Sequence, residues 1–194
     1  MPSGRPKAFD PSEVLRAALQ VFWTKGFEAT SVSDLTEATG LGRQSLYNEF
    51  GDKERLFAEA IRNYRTHETG HMIAILRGPG TSQERIQEFF RVALDAHFDG
   101  HKRGCFLTSS IAIRQDSNSE ISQLMDQFAD DLRAAFVECV REGVDRGELR
   151  ASLDTDATGM LLFTQAQGIS IVGKCQRNRD LLDRSIETLL QSLH

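Results

Sequence analysis

Absences narrow this 194-residue chain first. Cysteine is scarce: Cys105, Cys139 and Cys175 are odd in number and far apart. That excludes a disulfide framework or a zinc knuckle and agrees with a reducing cytoplasm. No apolar run approaches the ~20 residues that a membrane helix needs. The polar start from Met1 to Asp10 lacks the apolar core of a secretory signal. We therefore expect a cytoplasmic protein with no membrane partner. Missing too is any excess of positive charge. The formal net charge is -5, and from Met1 to Leu56 seven Lys and Arg face eight Asp and Glu. A general polyanion binder is excluded, and any nucleic-acid binding must rest on a local patch. Sustained two-residue alternation is also absent, as is an internal repeat. What remains is a chain with 40% hydrophobic and 26% charged residues, long enough to bury a core without disulfides or metal.

Punctuation falls at intervals that suit helices. Asp10 can cap, Pro11 suits the first helical position, and Glu13 stands where a capping box places its acid. Val14, Leu15, Ala18, Leu19, Phe22 and Trp23 recur at helical spacing up to Gly26. Ser31 then starts a helix over 32–39 with Val32, Leu35 and Ala38 inward. After the Leu41-Gly42 turn, a third helix covers 43–50 with Leu46 and Phe50 inward. Asp52 caps a long fourth helix running to about Arg77. Gly78-Pro79-Gly80 is a firm break. Further helices are expected over 82–99, 105–115, 119–146, 156–175 and 179–193. The fold class is all-α, with about nine helices.

The span from Thr30 to Phe50 carries the functional signal. Two short helices flank a glycine-containing turn, the geometry by which a second helix enters the major groove. Gly26-Phe27-Glu28-Ala29-Thr30-Ser31-Val32, then Thr39-Gly40-Leu41, then Ser45-Leu46-Tyr47-Asn48-Glu49-Phe50-Gly51-Asp52-Lys53-Glu54-Arg55-Leu56 resembles the N-terminal signature of the TetR family of bacterial regulators. The likeness covers roughly residues 8 to 57. It implies a helix-turn-helix DNA-binding domain over 1–52 and an effector-binding and dimerisation domain over 53–194, with helix 53–77 connecting the two. The implied function is a repressor, with no enzymatic role, released from a palindromic double-stranded operator by a small molecule. Carried across position by position, the family's contacts place Thr30, Ser31 and Lys53 at phosphates and the Tyr47 hydroxyl at the DNA backbone. Arg43, Gln44, Ser45 and Asn48 lie on the exposed face of the third helix. There Gln or Asn can read adenine and Arg can read guanine. Arg5 and Lys7 can add an arm contact. Three departures stand out. Gly42 replaces a capping Ser or Thr. Gln44 replaces a glycine and serves either a base or a phosphate. Glu49 brings an acid near phosphate, so it should turn away or pair with a basic neighbour.

The resemblance also implies a homodimer built from the last two helices. Leu161, Gln165, Gly168, Ile169, Val172, Leu182, Ile186 and Leu189 are its interface candidates, the alternative being an intramolecular core. Small-molecule contacts are expected among Phe89, Phe90, Phe106, Met125, Phe128 and Phe163, with Ser109 and Gln167 as polar groups. The alternative is that these are core and surface residues of ordinary kind. Cys105 follows Lys102-Arg103-Gly104 near a helix start, a setting that favours the reactive thiolate. A glycine-cysteine pair at this place resembles the NemR-like branch, which senses electrophiles; the other reading is a small packed residue. Cys139 and Cys175 read as packing.

His67-Glu68-Thr69-Gly70-His71 matches the zinc-peptidase pattern H-E-x-x-H, and His97 and His101 repeat its spacing. A zinc hydrolase with Glu68 as base is the competing function. It lacks a third ligand at familiar spacing, and Gly70 weakens the helix at that point. No metal and no cofactor is assigned.

Overall fold

The computed structural model describes residues 9–98, 104–110, 120–173, 175 and 178–194. Arg5, Lys7, His101, Lys102, Arg103 and the 111–119 stretch lie outside the described residues. Among those described, every regular element is helical. The chain divides into two compact units, one ending at Arg65 and one beginning at Thr66.

In the first unit, α1 (Pro11–Lys25) starts where Asp10 accepts from the Ser12 amide at 2.8 Å. The second carboxylate of an expected capping box, Glu13, has no such role here; that device sits at the next helix. It stops at Gly26, whose φ of 79° favours glycine. Short helices α2 (Val32–Thr39) and α3 (Arg43–Phe50) follow, then α4 (Lys53–Tyr64), which Asp52 caps by accepting from the Arg55 amide. Val14, Ala18, Leu19 and Phe22 of α1 bury against α4, where Leu56, Phe57, Ala60 and Ile61 are fully enclosed. Phe22 meets Phe57 edge-on at 4.9 Å, and Trp23 meets Tyr64 at 5.3 Å. This packing explains why the unit ends at Arg65 and not at residue 52: the first three turns of the fourth helix belong to the core of the first unit. Ala38, expected inside, is exposed, and Phe50 is only half-buried.

The fourth helix does not run as one α-helix to residue 77. After Tyr64 the chain makes a π-helical turn, Arg65–Thr69, before α5 (Gly70–Leu76). Both junction residues keep right-handed helical angles, so the path is continuous. Counted as one helix, it brings the described total to nine.

The second unit continues with α6 (Ser82–Phe98), α7 (Phe106–Ser110), α8 (Glu120–Asp145), α9 (Thr155–Val172) and α10 (Arg179–Gln191). The long helices end within three residues of their expected bounds. α8 and α9 are closely packed, with α6 against both and α10 against α6. A buried polar knot joins α5, α6 and α8. The Arg85 guanidinium, only 4% exposed, donates to the Leu76 carbonyl, the Ser82 hydroxyl and the Glu142 carboxylate at 2.9–3.0 Å. Arg85 is buried with its charge paired, which is the condition under which an interior arginine is tolerated. Cys139 packs in this region, and burial pushes its thiol pKa up. Cys175, expected in packing, is exposed.

Candidate nucleic-acid interface and effector site

Capping shapes the α2–α3 pair. At α2 the Ser31 hydroxyl oxygen accepts from the Asp34 amide at 3.2 Å, and the Asp34 carboxylate accepts from the Ser31 amide at 2.9 Å. This is a reciprocal capping box. Gly40, left-handed at φ 69°, closes α2. Gly42 caps α3 through its backbone alone, with no side-chain hydrogen bond, as its departure from Ser or Thr implies. Leu35 and Leu46, both fully buried, hold the two helices together.

That anchoring fixes which residues of α3 face outward. Arg43, Gln44, Ser45 and Asn48 are exposed, while Tyr47 and Glu49 are half-buried. The Arg43 guanidinium stands 5.7 Å from the centre of the Tyr47 ring. Four side chains that donate or accept hydrogen bonds thus lie on the side of α3 turned away from Leu46, with the half-buried Tyr47 beside them.

Two expected phosphate contacts have other partners. Thr30 is 2% exposed, and its hydroxyl donates to the Gly26 carbonyl at 2.6 Å. Its side chain therefore fastens the entry to α2 instead of reaching outward, a correction to the sequence expectation. The Lys53 ammonium donates to the Phe27 carbonyl at 3.0 Å and the Thr30 carbonyl at 3.1 Å, and lies 4.4 Å over the Phe27 ring. Both residues brace the 26–30 loop that delivers α2. Ser31 stays exposed; its oxygen accepts from the Asp34 amide, and its hydroxyl bonds in turn to the Asp34 carboxylate.

Sequence reasoning missed Lys25. Its ammonium donates to Asp34 at 2.6 Å. That bond, followed by those from the Ser31 amide and hydroxyl, holds the Asp34 carboxyl down to about 2. Nothing in the spacing of residues 25 and 34 signals the pair, because it joins the end of one helix to the start of the next.

In the second unit, the proposed effector contacts separate. Phe89, Phe90, Phe106, Met125 and Phe128 are buried. Phe89 meets Phe90 at 5.5 Å and Phe136 at 4.7 Å edge to face, while Phe90 and Phe136 stack at 6.1 Å. Phe163 and Gln167 are half-buried, and Cys105 is half-exposed just before α7, after Gly104 at φ 65°. Gln167 accepts a short hydrogen bond from the buried Thr108 hydroxyl. Thr108, which the sequence did not single out, thereby ties α7 to α9. Ser109 lies in α7, and its side chain falls outside the described set. A cleft between α5 and α6, lined by His71, Ile75, Pro79, Arg85 and Glu88 among others, shares no residue with the phenylalanine set.

The expected dimer residues also divide. Leu161 and Val172 are about half exposed (50% and 48%), and Gly168 has open space where a Cβ would stand. Gln165 and Leu189 are half-buried. Ile169 of α9 and Leu182 and Ile186 of α10 are instead buried inside the protomer, where α9 packs on α8 and α6 and α10 packs on α6. They leave the candidate interface. Met160, Ile171 and Leu181 join it, all between 44% and 58% exposed.

His67 and His71 are exposed, whereas His97 is buried. No group of three or more His, Cys, Asp or Glu side chains converges among the described residues. No helix among them is long and apolar enough to cross a membrane.

A capped helix pair with a polar outer face, followed by an all-helical second unit, defines a helix-turn-helix transcription regulator. Residues 14–60 match the bacterial regulatory proteins of the tetR family, and residues 82–189 match the tetracyclin repressor-like C-terminal domain. The chain belongs to the TetR family. The HTH-type transcriptional regulator YezE of Bacillus subtilis is 28% identical, aligned over 98% of this chain and 99% of that protein. The HTH-type transcriptional repressor ComR of Escherichia coli is 32% identical over 87% of this chain and 81% of its own. A cysteine mutant of the TetR family regulator CifR, complexed with 26-bp double-strand operator DNA, is 29% identical at a TM-score of 0.86, covering 98% of this chain and 100% of that one. Reduced NemR of Escherichia coli, 20% identical at a TM-score of 0.79 over 93% of each chain, shares the fold.

Proposed function

We propose that this DNA-binding regulator is a homodimeric repressor that binds a palindromic operator and releases it when a small molecule occupies the second unit or when Cys105 is modified. The observation that carries the reading is the outer face of α3. Arg43, Gln44, Ser45 and Asn48 are exposed on the side of α3 away from the anchored Leu46, and all four can bond to base edges or phosphates. The exposed apolar strip of α9, with Leu181 of α10, supports association of two copies, which would pair two half-sites about one helical turn apart. The Thr108–Gln167 bond supports a route for release. It links the segment beside Cys105 to the helix that carries that strip. An effector acts only through its preference for the released state.

The test is binding of the purified chain, at stated salt, to DNA flanking its own gene with random duplex as competitor. Preferential binding to a palindrome is expected. Gln44→Ala and Asn48→Ala should each cost about 1–3 kcal/mol of preference at one base position if they bond bidentately. Failure to enrich any sequence from a random pool would refute the repressor reading. Unchanged preference in both variants would refute base reading by those residues. If Cys105 is shown to carry an electrophile and operator affinity does not fall, release by modification is withdrawn.

A further inference from the structure

The regulator reading makes no use of His67-Glu68-Thr69-Gly70-His71. We propose that His67 and His71 form a two-histidine site for an exchangeable divalent transition-metal ion, tying the π-helical turn to the start of α5. Four residues span slightly more than one turn of α-helix and slightly less than one of π-helix. The two imidazoles therefore share a face whichever geometry the intervening residues take. Both side chains are exposed, and neither has a hydrogen-bond or ion-pair partner among the described residues. Neutral imidazole is the commonest protein metal ligand, and nitrogen donors suit Ni²⁺, Cu²⁺ and Zn²⁺. No third protein ligand converges there among the described residues, so water completes the coordination and the ion exchanges readily.

The location gives the site its consequence. His67 lies in the π turn Arg65–Thr69 and His71 in α5, with Gly70 between them. A π turn and an interior glycine are both weak points in a helix. The division between the two compact units falls at Arg65 and Thr66, within the same turn. A metal bridge from residue 67 to residue 71 therefore spans both the π turn and the glycine and stiffens the helix across them. His97 is buried and cannot substitute.

The test uses the full chain without DNA, so it is independent of operator binding. Ni²⁺ is titrated by calorimetry into the wild type, His67→Ala, His71→Ala and the double variant, with helix content checked by circular dichroism. Each single variant should weaken binding at least tenfold, and the double variant should abolish it. Amide hydrogen exchange across Arg65–Leu76 should slow on adding Ni²⁺ to the wild type and stay unchanged in the double variant. Equal binding by wild type and double variant would overturn the proposal, as would unaltered exchange over that segment at saturating Ni²⁺.

Discussion

Gly159→Ala in α9 tests the packing on which the second unit depends. A Cβ at residue 159 would meet the Val137 side chain and lie 2.9 Å from the backbone N and Cα of Val137 in α8. Side-chain ends can swing aside, but a helix backbone cannot, so α8 and α9 must separate. Overpacking of this kind costs about 1–3 kcal/mol, and a backbone obstacle places it in the upper half of that range. Against this stands the gain of replacing glycine by alanine in a helix, about 1 kcal/mol. The net loss is therefore about 1–2 kcal/mol. For a chain of this size each kcal/mol moves Tm by roughly 2–4 °C, so thermal unfolding should fall by about 2–8 °C. Gly168→Ala is the matched control in the same helix, since nothing lies within 4 Å of its Cβ position. Any Tm loss it shows must depend on protein concentration, because within the protomer it meets no obstacle. A Gly159→Ala chain that melts at or above the wild-type temperature would refute the reasoning that α8 and α9 meet backbone to backbone at this point.

Lys53→Met should destabilise the first unit without any DNA present, by about 1–3 kcal/mol, because it removes charged hydrogen bonds to two loop carbonyls. Unchanged thermal unfolding of the free chain would show that the ammonium does not hold the loop. Asp34 gives a pH prediction. Its carboxyl sits at about 2 in the folded chain, below its ordinary 3.8. Stability from the Lys25 and Ser31 bonds is therefore fully present above about pH 4 and lost as pH falls toward 2. Asp34→Asn should flatten that acid limb in a melting series, and an identical limb in both chains would reject the assignment. Leu161→Glu combined with Ile171→Glu should abolish self-association in sedimentation while leaving helix content intact; a stable dimer in that variant would place the interface elsewhere.

The helix pattern was legible because local chemistry dictates it. The caps at Asp10 and Asp52 and the stops at Gly26 and Gly40 stand where the spacing placed them. The exposure of Arg43, Gln44, Ser45 and Asn48 was legible too, since Leu46 anchors α3 and the 3.6-residue period fixes what turns away from it. What escaped prediction depends on contacts between elements. Periodicity gave Ile169 in one helix and Leu182 and Ile186 in the next apolar faces but could not say whether a second copy or the chain's own helices would cover them. The burial of Thr30 was hidden for the same reason: its hydroxyl finds a carbonyl four residues back, and nothing in a Thr-Ser pair separates the braced residue from the outward one. The π turn left no trace in the hydrophobic pattern, because an extra residue per turn shifts phase by less than the width of an apolar face.

The acidic balance of the first unit opposes DNA binding less than its sum implies, because three of its carboxylates are engaged at helix starts. Asp10, Asp34 and Asp52 each accept from a backbone amide at the start of a helix, where the helix dipole favours negative charge. Asp34 is also bonded to Lys25. These three acids serve caps, and the exposed residues of α3 include none: Glu49 is the only acid in that helix and it is half-buried. Net charge sums over the whole surface, whereas a groove meets only the face turned toward it. On that face a single guanidinium stands among neutral hydrogen-bonding groups. Such a surface draws less on bulk attraction to phosphate than on directional bonds, which discriminate between sequences more than they raise affinity for all of them.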